Sequence, residues 1–245
     1  VPHNARIPYA GHARVFSCRS TSAGRTLNSP TTQRVCQTPW ESREEDKDFP
    51  VEYSLFTKLA AEFVGTAVLM IFGNGAVANV ELKNTKGHNA GWLNIAMGYG
   101  FGVMFPVLMF GGVSGAHINP AMTIAQAVNG MFPWSNVLPY IIAQILGAAV
   151  GQLIVYVCYY PHYKETENAE AILSTFCTTD AQATRRNYFI NEFFGTMILV
   201  LGALCCLELQ WGRQNYASAS IVVGFIVWGL VCSMGGPTGP GLNPA

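Results

Sequence analysis

The sequence predicts an all-α protein that crosses a membrane several times and contains an inverted internal duplication. Three observations support this fold class. Half of the residues are hydrophobic and only 11% are charged, against about 25% in ordinary soluble domains. No Asp, Glu, Lys or Arg occurs in residues 87–163. A glycine-rich phrase that ends in Asn-Pro-Ala occurs twice, at 111–121 and at 235–245.

Apolar segments of about 18 or more residues are long enough to cross a bilayer as helices. Five such segments are predicted, and they cover residues 55–80, 92–110, 137–160, 189–207 and 217–234. The lipid bilayer is therefore the expected surroundings of the chain. The zero net charge argues against a nucleic-acid partner.

The duplication extends upstream of the Asn-Pro-Ala phrase. Residues 61–66 read Ala-Glu-Phe-Val-Gly-Thr, and residues 191–196 read Asn-Glu-Phe-Phe-Gly-Thr. Each copy therefore has a glutamate at the start of an apolar segment and a glycine-rich turn further on. The predicted repeats cover about 51–163 and 186–245, the second being incomplete. Because three crossings precede the second copy, the repeat is expected to be inverted.

The turn of the first repeat predicts a half-helix. Asn119 is a favoured N-cap and Pro120 a favoured first helical residue. At 1.5 Å per residue, residues 120–129 cover about half of a hydrocarbon core about 30 Å thick. We expect the glycines before this helix, Gly111, Gly112 and Gly115, to be non-helical. Such backbone must line a cavity or be buried in protein, where its carbonyls can accept hydrogen bonds from a solute.

The inverted repeat places a second half-helix opposite the first. Two N-termini, each equivalent to about half a positive charge, would then meet near the midplane and oppose cations and protons. The side-chain amides of Asn119 and Asn243 would donate hydrogen bonds to a passing oxygen. One Asn-Pro-Ala alone would be interpreted as a simple N-cap, whereas two copies in inverted repeats favour a pore.

These paired turns on an inverted repeat resemble the aquaporin, or major intrinsic protein, family, over residues 51–245. Within it the chain is most similar to the glycerol-facilitator branch of lactic-acid bacteria. The resemblance implies three spans and one re-entrant half-helix in each repeat, homotetramers, and a multi-pass protein of a bacterial plasma membrane. It rests on the two motifs, formed by Asn119, Pro120, Ala121, Asn243, Pro244 and Ala245.

The resemblance also implies roles for other residues. Glu62 and Glu192 would accept backbone amides from the two loops; a role in proton coupling is the alternative for such intramembrane acids. The implied filter positions are Tyr99, Val231 and Pro240, with an arginine expected after Ala245. Simple packing between helices is the alternative for Tyr99. Pore-lining carbonyls are implied for Gly115, Ala116, His117, Ile118, Gly239, Pro240 and Gly241.

The function implied is a passive channel for small neutral solutes that excludes ions and protons. Water-selective members have a histidine where Val231 stands, and an apolar residue there favours glycerol and similar polyols besides water. Tyr99 stands where glycerol channels often have tryptophan, and Pro240 stands where they often have an aromatic residue. These departures suggest a roomier filter that also passes protonated short hydroxy acids.

Other classes of function fit the sequence less well. A water-selective aquaporin is the first alternative. A proton-coupled transporter would need ionisable groups near the midplane besides Glu62 and Glu192. An enzyme is not expected, because His88, His117 and His162 are scattered along the chain. No metal site or other cofactor is expected either.

The two ends of the chain differ from the channel segment. Residues 1–50 are rich in Ser, Thr, Pro and basic residues and have no apolar run. We expect either a non-native upstream sequence or a disordered tail. The chain ends on the alanine of the second Asn-Pro-Ala, before the last half-helix and a sixth span. We expect a fragment that does not conduct by itself.

Overall fold

The computed structural model describes residues 52–245, so the predicted tail at 1–50 lies outside the described residues. Regular structure in the described part is helical throughout. A short 3-10 turn, Trp134–Asn136, precedes α4. The helices are α1 Leu55–Glu81, α2 Trp92–Ser114, α3 Pro120–Val128, α4 Val137–Cys158, α5 Tyr160–Glu165, α6 Ala169–Ser174, α7 Arg185–Glu208, α8 Gln210–Gln214 and α9 Tyr216–Thr238.

The five predicted spans are confirmed as α1, α2, α4, α7 and α9. Each is 22 to 27 residues long and apolar enough to cross a membrane. Large apolar side chains face outward along them, including Phe189 with 69% of its surface exposed and Leu138 with 65%. Such exposure suits contact with lipid, since a soluble surface rarely carries extended apolar patches.

The prediction that Gly111 and Gly112 are non-helical is wrong. Helix α2 continues past residue 110 to Ser114, and α9 continues past residue 234 to Thr238. The chain leaves the helix only at Gly115, which has a left-handed φ of 88° and donates its N–H to the carbonyl of Gly111. Glycine is the residue that takes this conformation without strain, so Gly115 sets the end of the helix.

The two repeats pack against each other through α2 and α9. Within the repeats, α1 packs on α2 and α4, and α7 packs on α9. At the α2–α9 crossing, a Cβ added to Gly100 would lie 3.0 Å from the carbonyl oxygen of Gly224, and one added to Gly224 would lie 2.8 Å from that of Gly100. These glycines hold equivalent positions in the two repeats, as expected of residues beside a pseudo-twofold axis. Small residues allow this close approach of two backbones in a membrane.

Candidate functional site

The first re-entrant loop is held by Glu62, which is fully buried in α1. Its Oε1 accepts hydrogen bonds from the Ser114 hydroxyl at 2.6 Å and from the His117 amide at 2.9 Å. Its Oε2 accepts from the Ile118 amide at 2.7 Å and from Nε2 of Gln144 at 2.8 Å. Both carboxylate oxygens are therefore used to fix the loop against α1 and α4.

Glu192 of α7 holds the second loop in the same way. Its Oε1 accepts from the Thr238 hydroxyl at 2.7 Å and from the Gly241 amide at 3.1 Å. Its Oε2 accepts from the Leu242 amide at 2.8 Å. Each donor is the repeat counterpart of a donor to Glu62. The duplication is thus visible in individual hydrogen bonds as well as in the order of the helices.

These hydrogen bonds determine where the loop carbonyls point. In a trans peptide the N–H of one residue and the carbonyl of the residue before it point in opposite directions, and the described chain contains no cis peptide. Since the amides of His117 and Ile118 face Glu62, the carbonyls of Ala116 and His117 face away from it. The Ala116 amide donates to the Ser114 side chain, so the Gly115 carbonyl points away from that side chain.

The same reasoning applies to the second loop. The amides of Gly241 and Leu242 face Glu192, so the carbonyls of Pro240 and Gly241 face away from it. Pro240 has no N–H, and it stands where Ala116 stands in the first loop. Gly239, predicted as a pore carbonyl, caps α9 with a φ of 70° and is not among the residues that line the cavity described below.

Both loops contain a strained residue that is not glycine. Ile118 has a φ of 44° and Leu242 a φ of 49°, in the left-handed region that branched side chains avoid. Such a conformation costs on the order of 1–3 kcal/mol and persists only where the surroundings enforce it. Here the enforcing contacts are the hydrogen bonds from the Ile118 amide to Glu62 and from the Leu242 amide to Glu192.

The two asparagines link the loops to each other. Nδ2 of Asn119 donates to the Leu242 carbonyl at 2.8 Å, and Nδ2 of Asn243 donates to the Ile118 carbonyl at 2.9 Å. Each Oδ1 accepts the amide two residues further on, at Ala121 and Ala245, as an N-cap does. Each NH2 group retains one more hydrogen. Both asparagines, with Pro244 and Ala245, line a central cavity.

The cavity has a volume of about 300 Å³ and two chemically different walls. One wall is formed by the loop backbones around Ala116 and Gly241 and by the two asparagines. The other is formed by apolar side chains of the spans. Tyr99, Val231 and Pro240, the predicted filter positions, all lie in its lining. The apolar wall comprises Leu69, Val103, Val107, Leu199, Val223, Val227 and Val231.

Several residues of the cavity lining were not predicted from the sequence, among them Asn74, Gln126, Cys177 and Thr178. Asn74 is 3% exposed, and its position inside an otherwise apolar segment was a usable signal, because buried polar groups in spans need partners. Its Oδ1 accepts the hydroxyl of Tyr99 at 2.5 Å. Cys177 and Thr178 come from the loop between α6 and α7, where the sequence carries no periodic signal.

The side chain of His117 packs against neighbouring side chains. Its Nδ1 lies 3.1 Å from the Thr123 hydroxyl, and its ring packs against Phe132 and Tyr140. Among residues 52–245, no group of three or more His, Cys, Asp or Glu side chains could hold a metal ion. His117 thus contributes backbone and packing to the loop.

Residues 51–245 match the family described as major intrinsic protein. The chain is 50% identical over 194 residues to glycerol uptake facilitator protein-like 5 of Lactiplantibacillus plantarum, covering 77% of this chain and 78% of that protein. It is 45% identical to the glycerol facilitator-aquaporin gla of Lactococcus lactis subsp. cremoris, with 77% and 80% covered.

A solved structure is also similar. The X-ray structure of the aquaglyceroporin from Plasmodium falciparum superposes with a TM-score of 0.71 at 31% identity, covering 78% of this chain and 77% of that one. The paired loops, their glutamate anchors and the crossed asparagines agree with these similarities. The chain belongs to the major intrinsic protein family.

Proposed function

We propose that this protein is a passive channel for small uncharged polyols, glycerol above all, and for water, in the plasma membrane of a bacterium. The observation that carries the proposal is the cavity with one hydrogen-bonding wall and one apolar wall. A polyol has hydroxyls along one edge and carbon atoms along the other, so both walls match it at once. The names of the similar proteins, glycerol facilitators and an aquaglyceroporin, support the same solute class.

We further propose that Tyr99, Val231 and Pro240 form the selective part of this cavity. Val231 and Pro240 offer apolar surface without a hydrogen-bond donor, so a carbon chain is not excluded by an unpaired polar group. The carbonyls of Ala116, His117, Pro240 and Gly241 would accept the hydroxyl hydrogens of the solute. The remaining amide hydrogens of Asn119 and Asn243 would donate to its oxygens.

The two intramembrane glutamates support a passive mechanism. A carboxylate that carries a transported proton must be free to exchange it. Both oxygens of Glu62 and of Glu192 instead accept hydrogen bonds from their loops. Transport is therefore proposed to follow the solute gradient, and the solute leaves chemically unchanged.

Exclusion of cations and protons follows from the half-helix that begins at Asn119. Its N-terminus carries a partial positive charge of about half a unit and faces the centre of the cavity. The equivalent cap is Asn243, whose Oδ1 accepts a hydrogen bond from the Ala245 amide. Two such termini would repel a cation or hydronium ion, while a neutral solute is unaffected.

Protonated short hydroxy acids are included in the proposal. Such an acid is neutral, has the size of a small polyol, and offers a hydroxyl and a carboxyl group to the loop carbonyls. Its uptake should rise as the pH falls below the pKa of the acid and vanish well above it, since only the uncharged form would enter. Radiolabelled lactic acid at two pH values would measure this.

Homotetramers are proposed as the assembly, on the resemblance to the family and on the outward apolar faces of the spans. Native mass spectrometry of the full-length protein in mild detergent would test it. A monomer under conditions that preserve a known tetrameric channel would overturn it.

The polyol proposal is tested by stopped-flow light scattering on proteoliposomes that contain the full-length protein. After a glycerol gradient is applied, the vesicles should shrink and then reswell much faster than empty liposomes, and the internal glycerol should be chemically intact. Reswelling at the rate of empty liposomes, with rapid water flow, would instead support the water-selective alternative.

A further inference from the structure

The ring of Tyr99 rests directly on the backbone of α1. Gly73 faces it, and a Cβ added to Gly73 would overlap ring atoms Cδ1 and Cε1 and lie 3.0 Å from Cζ. The ring therefore occupies the space that any larger residue at position 73 would fill. Gly73 is buried within the regular α1 helix, so backbone conformation does not require a glycine there. The space taken by the tyrosine ring does require one.

The next residue, Asn74, holds the other end of the same side chain. The Tyr99 hydroxyl donates to Oδ1 of Asn74 at 2.5 Å, and Nδ2 of Asn74 donates to Oε1 of Gln152 on α4 at 2.7 Å. This chain of hydrogen bonds has one direction, from α2 through α1 to α4. It fixes the tyrosine at both ends, by shape at Gly73 and by hydrogen bonding at Asn74.

The second repeat supplies an internal comparison. The offset that pairs Glu62 with Glu192 pairs Gly73 with Ala203 and Asn74 with Leu204. The offset that pairs Ser114 with Thr238 pairs Tyr99 with Val223, which also lines the cavity. Where the repeat has a valine in place of the tyrosine, it lacks both the glycine and the asparagine. The three residues thus occur together in one repeat and are absent together from the other.

We propose that Gly73 and Asn74 are positioning residues that set the width of the channel by holding the Tyr99 ring back against α1. The proposal rests on the assignment of Tyr99 to the selective part of the cavity. Gly73 and Asn74 act through Tyr99: an added methyl group at position 73 would push the ring about 1 Å or more into the cavity. Loss of the Asn74 acceptor would release the hydroxyl and let the ring swing inward.

The test measures permeability to water, urea and glycerol for variants of the full-length protein in proteoliposomes. Gly73→Ala should lower glycerol permeability by at least about ten-fold, as one misplaced methylene can do in a tight site, and should affect water far less. Gly75→Ala is the matched control, because it adds the same methyl group to the same helix, where the contact is an ordinary 3.8 Å to Val155. It should leave all three permeabilities unchanged.

A double variant separates positioning from general damage to the fold. In a Tyr99→Ala background the ring is gone, so Gly73→Ala should have no further effect on any solute. Tyr99→Phe removes the donor of the hydroxyl contact, and Asn74→Leu removes its acceptor together with the hydrogen bond to Gln152. They should shift the glycerol-to-water ratio in the same direction, and together they should do no more than Asn74→Leu alone.

The outcomes distinguish the two proposals. If the unmodified protein carries water or urea but no glycerol, the polyol assignment fails, while Gly73→Ala and its reversal by Tyr99→Ala still test the positioning role on those solutes. If Gly73→Ala behaves like Gly75→Ala, or if its effect persists without the tyrosine ring, the positioning proposal is wrong. Additive effects of Tyr99→Phe and Asn74→Leu would also contradict it.

Discussion

At the scale of single residues, the buried Glu62 and the partly buried Glu192 decide whether the loops can form. An unpaired backbone amide buried away from water costs about 1–3 kcal/mol. Glu62 satisfies two such amides, a hydroxyl and a side-chain amide, while it also enforces the left-handed conformation of Ile118. An acidic side chain in the membrane thus stabilises backbone that could not otherwise be placed there.

The first prediction concerns Glu62→Ala. Removing the carboxylate should leave the amides of His117 and Ile118 without acceptors and destabilise the protein by at least about 2 kcal/mol. Thermal unfolding in detergent measures this. The matched control is Glu208→Ala, because Glu208 forms an exposed ion pair with Arg213 at 3.2 Å, a type of interaction that contributes about 1 kcal/mol or less. Equal destabilisation by both variants would contradict the anchoring role.

The second prediction concerns Val231→His, which alters the apolar side of the cavity. A histidine should narrow the passage and add a donor that competes with the loop carbonyls, so glycerol permeability should fall by roughly ten-fold or more while water flow is kept. Stopped-flow measurements of both solutes on one vesicle preparation give the ratio. An equal fall in water and glycerol permeability would show that Val231 does not belong to the selective part of the cavity.

At the scale of elements, we propose that the half-helix α3 and its cap form a constriction that every solute must pass. The Asn119 side chain accepts a hydrogen bond from the Ala121 amide in the first turn of α3, and it donates one to the carbonyl of Leu242 in the second loop. The two loops are therefore one structural unit, although they are far apart in sequence. Changes at this point should affect every solute, in contrast to changes at Val231.

The third prediction follows from this double role. Asn119→Ala should cost about 1 kcal/mol of stability through loss of the cap, and it should lower water and glycerol permeability together. Thermal unfolding and stopped-flow flux measure the two effects. Asn129→Ala is a suitable control, since Asn129 ends the same helix and its side chain bonds only to the exposed turn at Ala125. Loss of one solute alone would argue against a shared constriction.

Much of this architecture could be predicted from the sequence because it depends on local patterns. Apolar length predicts the spans, and the Asn-Pro pair predicts the start of α3. The helical state of Gly111 and Gly112 could not be predicted, because it depends on where the loop is anchored. Of these three glycines, only Gly115 takes the left-handed conformation. The contact of Tyr99 with Gly73 and Asn74 was missed because it joins two helices, and no periodic pattern records it.

At the scale of the whole molecule, the fourth prediction concerns the segment before the channel. Residues 1–50 contain no long apolar run, and the family match begins at residue 51. We propose that the channel domain begins there. Deleting residues 1–50 from the full-length protein should leave glycerol and water permeability unchanged per inserted channel. If the deleted protein inserts into vesicles as well as the undeleted one but transports less, this segment is part of the channel.

The central claim is that two inverted repeats enclose a passive path for neutral solutes without proton movement. The most direct measurement follows glycerol entry and internal pH together, in proteoliposomes loaded with a pH-sensitive dye and held at an imposed pH gradient. We predict glycerol flux well above that of empty liposomes, the same rate with or without a protonophore, and no pH change that accompanies the flux. Glycerol entry that depends on the pH gradient and collapses with the protonophore would contradict the account.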